Sequence, residues 1–164
     1  MTLARKTQML EVDLPGREAF RASHLVTDYN GTLACDGQLF EGVAGLMSQI
    51  SSILEIHVVT ADTFGQAAEN LQALPVTLTI LPPGAQARQK VRHVRHLGVS
   101  RTITLGNGRN DVLMLREAAL GICIVESEGA CMQALQAADV VCRSAPEALG
   151  LLLNPKRLTA TLRE

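Results

Sequence analysis

Three short polar segments each close an apolar run, and their residue types suit the handling of an anion. Asp28-Tyr29-Asn30-Gly31-Thr32 follows His24–Thr27, Thr60-Ala61-Asp62 closes Ile56–Thr60, and Gly106-Asn107-Gly108-Arg109-Asn110-Asp111 follows Thr102–Leu105. Each alone has an ordinary reading, because an Asp after a strand commonly serves as a cap or turn residue. Asn110 and Asp111 are both good N-caps for a helix starting there. The stronger signal is that the three segments recur at the same end of one inferred sheet. Lys90 adds a cation. It stands four residues before Val94 and seven before Leu97, on the edge of an apolar stripe that includes Ala87 and Val91. It either snorkels, its stem covering apolar surface, or is aimed at an anion held beyond the strand ends. Arg88, Arg92 and Arg95 read as solvated charges. His93 and His96 have a spacing that suits a metal, but are expected on a basic outer helix face.

The elements that must position these residues alternate between strand and helix. Apolar runs at His24–Thr27, Ile56–Thr60, Val76–Leu81, Thr102–Leu105, Leu120–Val125 and Asp139–Val141 are expected strands. Helical periodicity is expected over Gly42–Leu54, Thr63–Leu74, Ala85–Leu97, Asp111–Ala118, Gly129–Ala137 and Ala145–Leu152. This order predicts an α/β fold, a three-layer, doubly wound parallel sheet with strands buried on both faces. Ligands in such sheets bind beyond the carboxyl ends of the strands. An alternating stretch, Met9–Leu14, is a further expected strand, stopped by Pro15-Gly16. Asp36-Gly37 inside residues 33–40 predicts a β-hairpin. No other insertion is large enough for a lid. The tail, residues 153–164, is mixed apolar and basic; it docks on this domain or a partner subunit, or frays.

With 164 residues, 47% of them apolar, the chain is expected to form one domain, residues 1–164. Aromatics are few and Trp is absent, so Leu, Val, Ile and Ala must fill the core. A net charge of -1 gives no basis for binding nucleic acid or an anionic membrane. No run has the length of a membrane-spanning helix. Arg5, Lys6 and Thr7 stand where a signal peptide needs an apolar stretch. Cys35, Cys123, Cys131 and Cys142 contain no Cys-x-x-Cys pair, and free thiols in a reducing cytoplasm are expected.

Asp28-Tyr29-Asn30-Gly31-Thr32-Leu33 resembles the first motif of the haloacid-dehalogenase (HAD) superfamily, Asp-x-Asp-x-Thr. Thr60 is similar to the hydroxyl residue of the second motif, and Lys90 to the lysine of the third. Gly106–Asp111 resembles the fourth, normally Gly-Asp-Gly-x-Asn-Asp. Order and spacing cover residues 23–125. The nearest resemblance is to small soluble proteins related to the phosphorylation domain of P-type ATPases, whose first motif also lacks the second Asp. The missing lid makes this a capless, HAD-like Rossmannoid protein with the hairpin as its flap.

The resemblance implies a Mg²⁺-dependent phosphatase or phosphotransferase acting through an aspartyl phosphate at Asp28. Mg²⁺ would be held by Asp28, the carbonyl of Asn30, Asp111 and the amide oxygen of Asn107. Thr60 would hydrogen-bond a phosphoryl oxygen, and Lys90 would neutralise charge in the transition state. Two departures matter. Asn30 replaces the family's general acid/base, and Asn107 removes a negative charge from the metal site. The expected protein is a slow enzyme on a small phosphorylated substrate. The alternative is a non-catalytic regulatory or interaction protein that keeps the metal and phosphate site. Without a lid, a homo-oligomer (dimer or tetramer) using the hairpin near Leu39-Phe40 is expected.

Overall fold

A computed structural model describes residues 9–16 and 18–164. The signal-peptide reading rests on Arg5, Lys6 and Thr7, which lie outside the described residues. The chain opens with an antiparallel pair, β1 (Leu10–Val12) and β2 (Phe20–Ala22), turning near Pro15-Gly16. Then come β3 (His24–Thr27), the hairpin β4 (Ala34–Cys35) and β5 (Gln38–Leu39), α1 (Val43–Ile50), β6 (Glu55–Thr60), α2 (Ala67–Leu71), β7 (Val76–Ile80) and α3 (Gln86–Leu97). The second half holds β8 (Thr102–Gly106), a 3₁₀ turn (Arg109–Asp111) leading into α4 (Val112–Glu117), β9 (Leu120–Ile124), α5 (Met132–Ala137), β10 (Val140–Cys142), α6 (Ala145–Leu153) and α7 (Pro155–Leu162).

Six strands form one parallel sheet in the order β10-β9-β8-β3-β6-β7. β3, β8 and β9 are buried along their whole length, as expected for strands covered on both faces. Alternate strand residues serve opposite layers. Leu25, Ile56 and Ile103 share a core with Met47 of α1 and Leu149 of α6. Val26 and Val59 point the other way, into a smaller core with Val94 of α3 and Met114 of α4.

β7 departs from the buried-strand expectation. It is an edge strand, and Ile80 is exposed. The helix expected over Thr63–Leu74 shrinks to the five residues of α2. Gly65 adopts a left-handed φ of 69° just before it, and Asp62 turns back at φ 51° to accept the Ala67 N–H. The hairpin is as expected: Asp36 and Gly37 both have positive φ, 49° and 82°, the signature of a tight two-residue turn. The tail is a helix, with Pro155 in its first turn. Leu158 of α7 is buried, and the Thr159 hydroxyl donates to the Asp13 carbonyl at 2.7 Å, so the tail docks on this same chain beside β1. Among the described residues no helix is long and apolar enough to cross a membrane.

Candidate active site

The sheet brings the ends of β3, β6 and β8 side by side, and with them Asp28, Thr60 and Asn107. They line a polar cleft of about 520 Å³ together with Asn30, Gly108 and Asn110. Lys90 reaches its foot from α3, and its ammonium is buried. Nζ donates to Asp28 Oδ1 at 2.8 Å and to Asp111 Oδ1 at 2.7 Å. A lysine on the margin of an apolar stripe thus serves the strand ends rather than snorkelling to solvent.

Asp111 is fully buried. Its second oxygen accepts the backbone N–H groups of Asn107 (3.0 Å) and Gly108 (2.9 Å). It therefore closes its own loop, instead of capping α4 as its position suggested. This loop requires glycine at 106: a Cβ there would stand 2.5 Å from Asp111 Cβ. Asn107 is held at both ends of its amide. Its oxygen accepts from the Thr32 hydroxyl (3.3 Å), and Nδ2 donates to the Gly129 carbonyl (3.0 Å).

The flap is tied down around Asn30. Asn30 Oδ1 accepts the Gly37 N–H at 3.1 Å, and the buried Tyr29 hydroxyl donates to the Gly37 carbonyl at 2.8 Å. Asn30 Nδ2 is buried and makes no hydrogen bond among the described residues. It is a donor at the cleft wall, in want of an acceptor. The Thr60 hydroxyl accepts the Asp62 N–H at 3.0 Å, which leaves its own proton to donate.

Two carboxylates and one ammonium share this buried space, leaving a net negative charge. Burial and the charge of Asp111 push the Asp28 carboxyl up to about 6, against the downward pull of Lys90. For Lys90, desolvation acts downward, but Asp28 and Asp111 outweigh it and hold the ammonium above its ordinary range. A hard, oxygen-rich donor set with unbalanced negative charge fits a divalent cation such as Mg²⁺.

Sequence reasoning missed several lining residues, among them Gln86, Asn110 and Glu128. Asn110 looked like a cap, but its oxygen lies 3.3 Å from Lys90 Nζ, and its amide donates to Gln86 Oε1 at 3.0 Å. Glu128 reaches over Gly31, where a Cβ would come within 2.6 Å of its carboxylate. Its loop has no periodicity to flag it. His93 needs correction as well: it is not on an outer face but packs its ring against His57 of β6. The four cysteines are free, with Cys123 and Cys142 buried and Cys35 and Cys131 partly exposed.

No family model matches the chain. Over 62 residues, 38% of this chain, it is 47% identical to the uncharacterized protein MJ0073 of Methanocaldococcus jannaschii, covering 67% of that protein. Among solved structures it resembles the 3-deoxy-D-manno-octulosonate 8-phosphate phosphatase of Moraxella catarrhalis, crystallised with magnesium, phosphate and KDO. The TM-score is 0.65 at 18% identity, over 85% of this chain and 90% of that one. The cobalt-bound octulosonate 8-phosphate phosphatase of Haemophilus influenzae gives a TM-score of 0.68 at 12% identity, over 85% and 91%. A protein of Legionella pneumophila described as a HAD-superfamily (subfamily III A) hydrolase gives 0.64 at 16%, over 86% and 87%. With Asp28, Thr60, Lys90 and Asp111 gathered at one end of its parallel sheet, the chain has the fold of the HAD superfamily and belongs to one family with the Methanocaldococcus jannaschii protein.

Proposed function

We propose that the chain, acting as a single domain, is a slow Mg²⁺-dependent phosphohydrolase that forms an aspartyl phosphate at Asp28. The observation that carries this reading is Lys90 Nζ joined to both Asp28 and Asp111 beneath the polar cleft. A buried lysine between two carboxylates, at the foot of an open polar cleft, is costly as mere packing and useful for phosphoryl transfer. The likeness to phosphatases crystallised with magnesium or cobalt supports the metal, and a small phosphorylated compound is the substrate class.

In this reading an Asp28 oxygen attacks phosphorus as the ester oxygen departs, and water later cleaves the acyl phosphate. The Thr60 hydroxyl and Asn30 Nδ2 donate to oxygens of the transferring group or its leaving atom. Lys90 balances charge as it spreads over those oxygens. Asp28, Asp111, the Asn30 carbonyl and Asn107 would hold Mg²⁺, whose charge would let a carboxylate approach a phosphate. Asn30 can hydrogen-bond the leaving oxygen but cannot give it a proton, a deficit of about 10²–10⁴-fold. The same deficit favours a second reading, a non-catalytic protein that binds metal and phosphate to regulate a partner. The relation to the P-type ATPase phosphorylation domain rests on the shared absence of that acid.

Free thiols support a cytoplasmic location. A homo-oligomer would let a neighbouring subunit cover the open cleft. Leu39 and Phe40 already pack against this chain's own core, so the exposed Phe64 at the cleft rim is the better contact for a second copy. The deciding experiment is incubation with acetyl phosphate and Mg²⁺, followed by acid quench and peptide mass analysis. Phosphate on Asp28 supports the enzyme; its absence, with Mg²⁺ bound, supports the binding protein.

A further inference from the structure

At the other end of the sheet, three histidines from distant parts of the chain meet. His24 opens β3, His57 lies in β6 beside it, and His93 comes from α3. Both rings on the strands face the α3 layer, on the same side as Val26 and Val59. The ring of His57 touches those of His24 and His93, at centroid distances of 5.5 and 5.2 Å. Glu55, paired with His24 across the two strands, places Oε2 3.2 Å from His24 Nδ1 and 3.9 Å from His57 Nε2.

The nitrogens are left waiting. His24 is 6% exposed, and neither of its ring nitrogens makes a hydrogen bond among the described residues; His57 Nε2 is also buried without one. Glu55 Oε2 is close enough to His24 Nδ1 to pair with it when that ring is charged, which leaves His24 Nε2 and His57 Nε2 as the nitrogens without a partner. Buried polar atoms in native folds are paired, so an unpaired set marks a missing partner. One ligand atom from each of His24, Glu55 and His57 falls within 4.8 Å of the others, a spacing one cation can span.

We propose that His24, Glu55 and His57 form a binding site for a divalent transition ion of the Zn²⁺ type, separate from the carboxylate cleft at Asp28. Two imidazoles and one carboxylate are the donor set of such ions, and they leave a fourth position for water. Mg²⁺ prefers an all-oxygen shell and belongs at the other end of the sheet. His93 completes the arrangement. Its Nε2 lies 3.4 Å from His57 Nδ1. With His57 Nε2 turned to the ion, Nδ1 carries the proton and donates it to His93, the orienting bond that metal-bound histidines usually have. Burial, with neighbouring histidines, pulls His57 down to about 4, and burial lowers His24 and His93 too, so all three rings are neutral near pH 7, the form that ligates. Arg101 acts on His24 in the same direction and disfavours a cation there; the charge of Glu55 offsets it. The ion would clamp β3 to β6, and through His93 to α3.

The test is calorimetric titration of chelator-treated protein with Zn²⁺ in millimolar Mg²⁺, with imidazole NMR signals followed in parallel. One Zn²⁺ per chain is expected, shifting the His24 and His57 ring signals. Affinity should fall in Glu55→Gln, an exposed position where folding is not at risk, and disappear in His57→Gln. It should drop about 10–100-fold in His93→Gln, which keeps the ligands but loses their orientation. Asp28→Asn should bind Zn²⁺ as the unsubstituted protein does. Unmoved histidine signals under saturating Zn²⁺ overturn the proposal. So does affinity that is unchanged in Glu55→Gln, or lost only in Asp28→Asn. Should His57→Gln fail to fold, Glu55→Gln and the ring signals of the parent protein decide.

Discussion

The side-chain oxygen of Asn30 accepts the backbone N–H of Gly37 at 3.1 Å, so the residue proposed to face the leaving group also anchors the turn of the hairpin. Asn30→Asp keeps this bond, because a carboxylate oxygen accepts equally well. The substitution also puts an ionisable oxygen where the unpartnered Nδ2 now stands. Turnover of simple phosphate esters should rise about 10–10³-fold, below the full general-acid range because the surroundings are not tuned to it. Esters with very good leaving groups should gain less. Asn30 precedes Gly31, a sequence prone to deamidation, so peptide mass must show the parent protein free of aspartate. A folded, Mg²⁺-binding variant with no gain on any ester would move the reading to the non-catalytic protein.

Asp28→Asn should abolish any phosphatase activity while leaving the fold intact, since Asp111 still pairs with Lys90. Single-turnover assays with acid quench are the measurement. Activity at the parent level would remove Asp28 as nucleophile.

Lys90→Met should destabilise the protein by about 3–5 kcal/mol near pH 7.5, because two buried carboxylates lose their shared cation. The loss should shrink toward pH 5. The folded-state pKa of Asp28 is already raised to about 6 with Lys90 present, and removing the lysine's downward pull raises it further. A raised carboxyl pKa means that acid favours the folded form, so stability returns as pH falls through that value. Urea unfolding at the two pH values checks both claims.

Gly106→Ala should cost Mg²⁺ binding before it costs the fold's outline. The added methyl meets Asp111 Cβ and Cγ at 2.5 and 2.6 Å and must displace the carboxylate from Lys90 and from the loop amides. Mg²⁺ titration watched by amide shifts around Asp28 should show clear movement in the parent and little in the variant. No movement in the parent, even at high millimolar Mg²⁺, would count against the carboxylate site itself.

The histidine cluster predicts an acid limit in chelator-treated protein. His57 is depressed to about 4, and His24 and His93 are lowered, each mainly by burial. Unfolding frees them to bind protons near pH 6.5, so their contribution is present above that pH and is lost as pH falls toward 4. Asp28 acts with the opposite sign over the same range. The clean comparison is therefore the parent against His57→Gln, whose urea midpoint should fall less steeply between pH 7 and pH 5. Parallel curves would show that His57 is protonated equally in both states.

The segments Asp28–Thr32 and Gly106–Asp111 were legible in the sequence, and so were the Asp36-Gly37 turn and the strand–helix alternation. Each depends on local chemistry: a glycine that permits a turn, a carboxylate at a strand end, an apolar run that must be buried. Lys90 was half legible, since periodicity puts it on the margin of a buried stripe without saying whether its ammonium turns inward or out. What only the tertiary structure decided are meetings across the chain. Lys90 finds Asn110 as well as Asp111, the tail finds Asp13, and His24, His57 and His93 converge. In the sequence those histidines belong to two strands and a helix, and nothing local to any of them names the others. Their convergence follows from the parallel register of β3 on β6, and from the way α3 lies across that face to bury Val94. A helix laid down to cover apolar surface thus carries Lys90 to one end of the sheet and His93 toward the other.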